Sequence, residues 1–454
     1  MQKPNLSNPL ESKSRSCNVI SANPCQLPVT TQELFEDLVY GFRICGGGRS
    51  SSIRAEQFVS PKSFETIDEV RDDDCSGETS FCEAIEVAAS AFDDQSALEL
   101  TAGADSRLVL AMALAGGARI RRSFTVDIGE SEDPKVAQLI AQTLGIEHLV
   151  VAPDLGVGDP VSDAHEFARA SGWVCNAVAY GWLPSVFRQL AEYRTSQVGG
   201  VGGEIGTGFY RTDLDRFARH EFVRTMWRRI RLRRANAATH LFRPELRRAL
   251  ARVADQSIDQ FFTGCDTSDD WRHRTDQFYL ERRIQNWALP ALSASAHWYE
   301  PRMPLLSSSY VRWAFKASPL ARNRGRQQHE TKRLLNPILS TDALAVLLAS
   351  PNKAKKTRIA RLRRVWERAV THARPSAPIF ESLSKLLMQD GSLVQGILKL
   401  SERGAASDLG LCPRAIQSVL ADPSRYAFEI GALATAAFSH QLVDSVRPVV
   451  VGEA

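Results

Sequence analysis

Apolar residues come in short runs broken by small and polar residues through the first part of this chain, and at helical spacing through much of the rest. Residues 97–100 (Ala97, Leu98, Glu99, Leu100) form a short run that ends in a loop of small residues, Thr101 to Ala104, followed by Asp105 and Ser106. An unbroken apolar run, Leu108 to Ala115, comes next. The pattern predicts a strand, a tight loop and a buried helix. Residues 122–127 read as a second strand. Asp133-Pro134 opens a helix with Pro in its first turn. Val136, Leu139, Ile140 and Leu144 fall at helical spacing, and Gly145 ends that helix. Residues 148–152 read as a third strand. Strands alternating with helices predict an α/β fold, a parallel sheet with crossover helices. The Thr101–Ser106 loop then lies at the carboxyl edge of the first strand, where open α/β sheets bind ligands.

The loop carries chemistry of its own. Small residues at a strand-to-helix turn leave backbone N–H groups free to hold an anion at the helix N-terminus. Asp105 adds a hard oxygen donor suited to Mg²⁺. The plainer reading of the loop alone is an ordinary turn with Asp105 and Ser106 as a cap. A second segment, Gln197 to Tyr210, holds six glycines around Glu204. Alone it reads as a flexible glycine loop with a solvated acid. Beside the first loop it supplies a second carboxylate.

Thr101-Ala102-Gly103-Ala104-Asp105-Ser106 resembles the S-G-G-x-D-S pyrophosphate loop of the asparagine synthetase family, related to β-lactam synthetases and lasso-peptide macrocyclases. Thr101 keeps the hydroxyl of the first Ser. Ala102 departs from the first Gly, and would be strained if that position needs φ > 0. Leu144-Gly145-Ile146-Glu147-His148 resembles the family's Leu-Gly-x-x-His segment, and Gly200-Val201-Gly202-Gly203-Glu204 its G-x-G-x-(Asp/Glu) segment. Glu300 to Leu306 resembles R-x-P-F-L-D, with Leu305 for Phe and Ser307 for Asp. Glu330-Thr331-Lys332-Arg333-Leu334-Leu335 resembles the K-x-x-L-R helix. The resemblance spans roughly residues 85–345.

It implies a fold of the adenine nucleotide alpha-hydrolase (PP-loop) type with a mainly helical C-terminal half. The implied activity is that of an ATP-dependent carbon–nitrogen ligase. A small-molecule or peptide carboxylate is adenylated with release of pyrophosphate, and an amine or ammonia then displaces AMP. Leu100, Thr101, Gly103, Asp105, Ser106, Val126 and Gly202 are the implied ATP contacts, and Asp105 and Glu204 the Mg²⁺ ligands. Lys332 is the implied catalytic cation beside the α-phosphate, with Arg333 its competitor if the register slips by one. Gln2 stands where glutamine-dependent members carry a nucleophilic Cys, so glutaminase activity is not expected. A lactam-forming or peptide macrocyclase, an RNA-modifying ATP pyrophosphatase and an inactive binding scaffold are the alternatives. Ala102 and Ser307 motivate the last.

Composition narrows these classes. The 454 residues are enough for two or three domains. The eight cysteines form no C-x-x-C pair, which argues against a zinc site or a disulfide framework and for a reducing cytoplasm. No apolar run approaches the roughly 20 residues of a membrane span. The nine histidines include no H-x-x-x-H pair, and no G-x-S-x-G occurs. Residues 1–30 read as a disordered polar N-terminus and 31–84 as a small region that resembles the remnant of a glutaminase domain. The resemblance makes residues 85–345 the ATP-binding domain and leaves 346–454 as a basic helical C-terminal region. The net charge is only +4, yet residues 224–252 hold ten arginines against Glu245 alone. Residues 353–374 hold nine Lys or Arg against Glu367. Such runs are usually a solvated helix face; an anionic partner is the alternative.

Overall fold

The computed structural model describes residues 29–40, 77–129, 132–156, 158–208, 239–263, 268–322, 326–340, 378–402 and 408–443. Residues 224–238 of the basic run 224–252, the whole of the basic run 353–374 and the expected disordered residues up to 28 lie outside these.

Five strands build one sheet: β1 (Ser96–Glu99), β2 (Arg122–Val126), β3 (Glu147–Val151), β4 (Ser196–Val198) and β5 (Glu300–Arg302). Their order is β3-β2-β1-β4-β5, and every neighbouring pair is parallel. In register, Leu98 lies beside Ser123 on one side and Val198 on the other. The chain steps outward from β1 to β3, then returns to the far side of β1 for β4. Open α/β sheets bind ligands at such a reversal, here at the carboxyl ends of β1 and β4. The three strands expected from the sequence are present with ends shifted by one residue; β4 and β5 are additional.

The helix Ala104–Ala115 follows β1. Its residues Leu108 through Ala113 are completely buried, as befits a helix apolar all round its surface. It is covered by the helices Gly77–Ser90 and Arg326–Leu335. Asp133–Leu144 carries Pro in its first turn and ends at Gly145, which adopts φ 68°. These are the two expected crossover helices. The return to β4 runs through Pro160–Ala170, Ala177–Tyr180 and Leu183–Leu190. Phe167, Phe187, Tyr180, Trp298 and Tyr299 stack there into a separate aromatic cluster.

Further on, Ser268–Phe278 continues through a π-helical stretch, Tyr279–Ala288, into Leu289–Ser295. Asp276 is joined to Arg322 at 2.7 Å, both side chains almost wholly buried. Among the C-terminal helices, Ala427–Ser439 is buried along its whole length. Thr435 Oγ1 on it accepts from the Ala177 N–H at 2.9 Å. The helix Thr31–Tyr40 also joins this region, where the Val29 N–H donates to Ser439 Oγ at 3.0 Å. The described parts of the 31–84 region therefore attach to two different places: 31–40 to the C-terminal helices and 77–84 to the sheet core. No helix among the described residues is long and apolar enough to cross a membrane. Cys82, Cys175 and Cys412 are free thiols.

Candidate functional site

The Thr101–Ser106 loop is shaped by its own hydroxyls. The Thr101 N–H donates to Ser106 Oγ at 3.1 Å, and the two hydroxyls lie 3.1 Å apart. Thr101 Oγ1 accepts the Gly103 N–H at 3.0 Å, so the hydroxyl shared by Ser and Thr does structural work here. The Ala102 N–H donates to Asp133 Oδ1 at 2.8 Å. Ala102 is not in the left-handed region; among described residues the only non-glycines there are Trp173 and Gln441. The strain anticipated at this position is absent. Gly103 precedes the helix in extended conformation, and no side chain caps the helix N-terminus. The first-turn N–H groups, which have no partner within a helix, are thus left for a ligand.

The second glycine segment lies directly against this loop. Gly200 passes so close that a Cβ would sit 2.8 Å from the Ser106 nitrogen, and a Cβ on Gly203 would sit 2.2 Å from Asp105 Oδ1. Only glycine allows that approach. Gly202 turns the chain with φ 99°, and Glu204 follows in the first turn of a short 3₁₀ helix, Gly203–Thr207. Asp105 and Glu204 are thereby brought into electrostatic contact. Burial, reinforced by the charge of Glu204, pushes the Asp105 carboxyl up to about 7, against the opposing effects of Gln328, Lys332 and Arg107.

The helix Arg326–Leu335 forms the third wall. Lys332 is 1% exposed, and its Nζ donates to the Ala104 carbonyl at 3.1 Å. Burial, with Arg107 nearby, lowers its ammonium to about 8, and the Asp105 charge opposes that shift. Arg333, the competing residue, faces solvent, so the helix register presents Lys332 to the loop. Arg107 is also buried. Its Nε donates to the Gly103 carbonyl at 3.0 Å and its Nη1 to the Leu339 carbonyl at 2.8 Å.

Of the other expected ATP contacts, Val126 ends β2 at the same sheet edge and is partly exposed. Leu100 lies just before the loop, directly after β1. It is fully buried, its N–H donates to the Phe124 carbonyl at 2.9 Å, and its carbonyl accepts from Thr125 Oγ1. With both polar groups engaged by β2, Leu100 supports the loop from beneath. Ser307, where an acid was expected, caps the helix Ser308–Lys316 by accepting the Tyr310 N–H at 3.2 Å. Ser and Asp are interchangeable in that role.

Three members of the site were not singled out in the sequence: Gln328, Tyr310 and Arg107. Gln328 Nε2 donates to Asp105 Oδ1 at 3.2 Å and to the Gly203 carbonyl. The Tyr310 hydroxyl lies 3.2 Å from Gln328 Nε2 and donates to the Gly203 carbonyl at 3.3 Å. Burial and the two nearby carboxylates raise the phenol's pKa far above its usual value. The spacing of Gln328 and Lys332, one helical turn apart, was the available signal.

The donor set fits Mg²⁺. Two hard carboxylates in electrostatic contact are relieved by a divalent cation. Among the described residues no cluster of three or more His, Cys, Asp or Glu side chains could hold a metal. The remaining ligands would therefore have to come from a nucleotide and water. The exposed Arg247, Arg248 and Arg252 on the helix Pro244–Phe261 stand free of this site. A cavity of about 740 Å³ among the C-terminal helices is also separate; Arg243 on its wall is paired with Asp408 at 2.9 Å. No model of a known protein family matches the chain, and no curated protein matches it.

Proposed function

We propose that this protein is an ATP-dependent amide-forming ligase of the PP-loop type, which adenylates a carboxylate and passes the acyl group to an amine or ammonia. The observation that carries this reading is the meeting of two loops, remote in sequence, at the reversal point of a parallel sheet. Their two acids lie in electrostatic contact, an uncapped helix N-terminus adjoins them, and a buried lysine closes the third side.

In this reading the first-turn N–H groups and the Thr101–Ser106 loop hold the β- and γ-phosphates. Asp133 yields the Ala102 N–H to a phosphate oxygen. Asp105 and Glu204 would hold Mg²⁺, which when bound supplies neutralising charge to the departing pyrophosphate. The substrate carboxylate oxygen forms a bond to the α-phosphorus as the bond to pyrophosphate breaks. Lys332 stabilises the negative charge that grows there. An amine nitrogen then bonds to the acyl carbon, AMP leaves, and the amine loses a proton. A small-molecule or peptide carboxylate is the substrate class, and the cysteines, which form no C-x-x-C pair, support a cytoplasmic setting for the reaction. The departures at Ala102 and Ser307 do not weigh against activity, since one is unstrained and the other keeps a cap.

Calorimetry with ATP tests the nucleotide half of this proposal. ATP binding is expected to be tightened about tenfold or more by Mg²⁺, and that gain to be lost in Asp105→Ala; an equal Mg²⁺-dependent gain in wild type and variant refutes it. Once a carboxylate turns over, AMP and pyrophosphate are the expected products, and ADP as sole product refutes adenylation.

A further inference from the structure

Gln328 is 1% exposed. Its amide nitrogen has two hydrogens and meets acceptors on both acid-bearing loops, Asp105 Oδ1 at 3.2 Å and the Gly203 carbonyl. Its Oε1 is buried and has no hydrogen-bond partner among the described residues. A buried acceptor without a partner is costly, so a side chain retained only for packing would be better served by Met or Leu. What the amide supplies at this position is its pair of donors. One fixes the orientation of the Asp105 carboxylate; the other holds the backbone of the residue next to Glu204. Tyr310 braces the same point, since its hydroxyl reaches both Gln328 Nε2 and the Gly203 carbonyl.

The loops need such a tie. Two acids that are to share a cation repel one another when both are charged, so their spacing has to be held by other groups. Where Gly200 and Gly203 meet Asp105 and Ser106, the second loop offers only glycine backbone, which has no side chain to interlock. Gln328 sits on the helix that also presents Lys332, so a single turn of helix fixes both acids and the cation relative to one another.

We propose that Gln328, braced by Tyr310, is a positioning residue that ties the two loops together and sets the spacing at which Asp105 and Glu204 take up a divalent cation with a nucleotide. This rests on the reading of Asp105 and Glu204 as the metal pair.

The experiment uses the full chain with MgCl₂ and ATP as probes. Calorimetry at fixed ATP gives the Mg²⁺ concentration for half-maximal binding; a second titration in EDTA gives the metal-free ATP affinity. Gln328→Met, close in shape but without donors, is expected to raise the half-saturating Mg²⁺ about tenfold or more, as loss of a partner to a metal-ligating carboxylate does. Metal-free ATP affinity should stay within about twofold, because the phosphate loop keeps its own hydrogen bonds. A merely structural role would weaken both titrations together, and that result overturns the proposal. Tyr310→Phe, which removes one oxygen, is expected to raise half-saturating Mg²⁺ by about threefold, a lost neutral hydrogen bond. It decides the matter if Gln328→Met does not fold: no change in Tyr310→Phe then overturns the proposal. Unchanged Mg²⁺ dependence in Gln328→Met, with a lost dependence in Asp105→Asn, overturns this inference and leaves the proposed function standing. Unchanged dependence in Asp105→Asn as well overturns the metal reading itself.

Discussion

Asp105→Asn should make the empty protein more stable in alkali while removing its nucleotide chemistry. The carboxyl is raised from 3.8 to about 7 by burial and by Glu204. For an acid with a raised pKa, the folded state binds the extra proton between the unfolded and folded values. Stability from that proton is complete below 3.8 and is lost as pH rises through about 7. The slope in that interval is about 1.4 kcal/mol per pH unit. From pH 5 to pH 8.5 the wild type thus loses up to about 3 kcal/mol at this one group, and about half that once solvent screening of a partly exposed carboxylate is allowed for. Asn does not titrate, and its Oδ1 still accepts the Gln328 amide. Urea unfolding in EDTA, without nucleotide, should show the two proteins close in stability at pH 5. The variant should lead by about 1–3 kcal/mol at pH 8.5. With Mg²⁺ and ATP present the order should reverse, because only the wild type gains binding energy. A gap that does not change with pH, or one that moves against the variant as pH rises, refutes the electrostatic account of the acid pair.

Other expectations follow from single contacts. Lys332→Ala should lower turnover by two orders of magnitude or more, roughly the loss of one oxyanion donor, with a much smaller change in ATP affinity. Arg333→Ala should be near normal in steady-state assays, and the opposite pattern would move the role to Arg333. Ser307→Ala should cost about 1 kcal/mol through the lost cap, read as a lower urea midpoint, whereas Ser307→Asp should be neutral; equal losses in both would refute the capping role. Asp276→Ala should cost about 3–5 kcal/mol by stranding the buried Arg322 guanidinium, and a loss under 1 kcal/mol in urea melts would refute that pair's importance.

The legible parts of this fold are those where pattern length exceeds noise. The run Leu108–Ala115 can only be a buried helix after a short strand. Asp133-Pro134 with Gly145 brackets a helix at both ends, and both elements appear as expected. β4 and β5 are three residues each, too short for alternation to register, and β5 contains Pro301. That proline is tolerated because β5 pairs with β4 alone, at the sheet edge. In the candidate site, Asp105, Glu204 and Lys332 were readable through motif resemblance, and the structure brings Glu204 and Lys332 each into electrostatic contact with Asp105. Leu100 is buried with its N–H and carbonyl engaged by β2, which a strand residue's position in the sequence does not reveal.

Gln328 and Tyr310 show why the remainder was hidden. Neither residue type is unusual on a helix, and neither lies in a loop that advertises chemistry. Their role exists only because the chain reversal at β1 places the Gly203 carbonyl and the Asp105 carboxylate within reach of one amide nitrogen. Sequence motifs reveal residues that must be a particular type to react. Residues that hold those in place are selected for reach and donor count, and the same geometry can be met by other side chains from other helices. Arg107 makes the point from the opposite side. It follows Asp105-Ser106 directly, inside the most readable segment of the chain. Its guanidinium nevertheless turns away to bridge the Gly103 and Leu339 carbonyls. It thereby links the Thr101–Ser106 loop to the segment that follows the Lys332 helix. The site is thus legible where chemistry dictates a residue, and illegible where the fold alone dictates a distance.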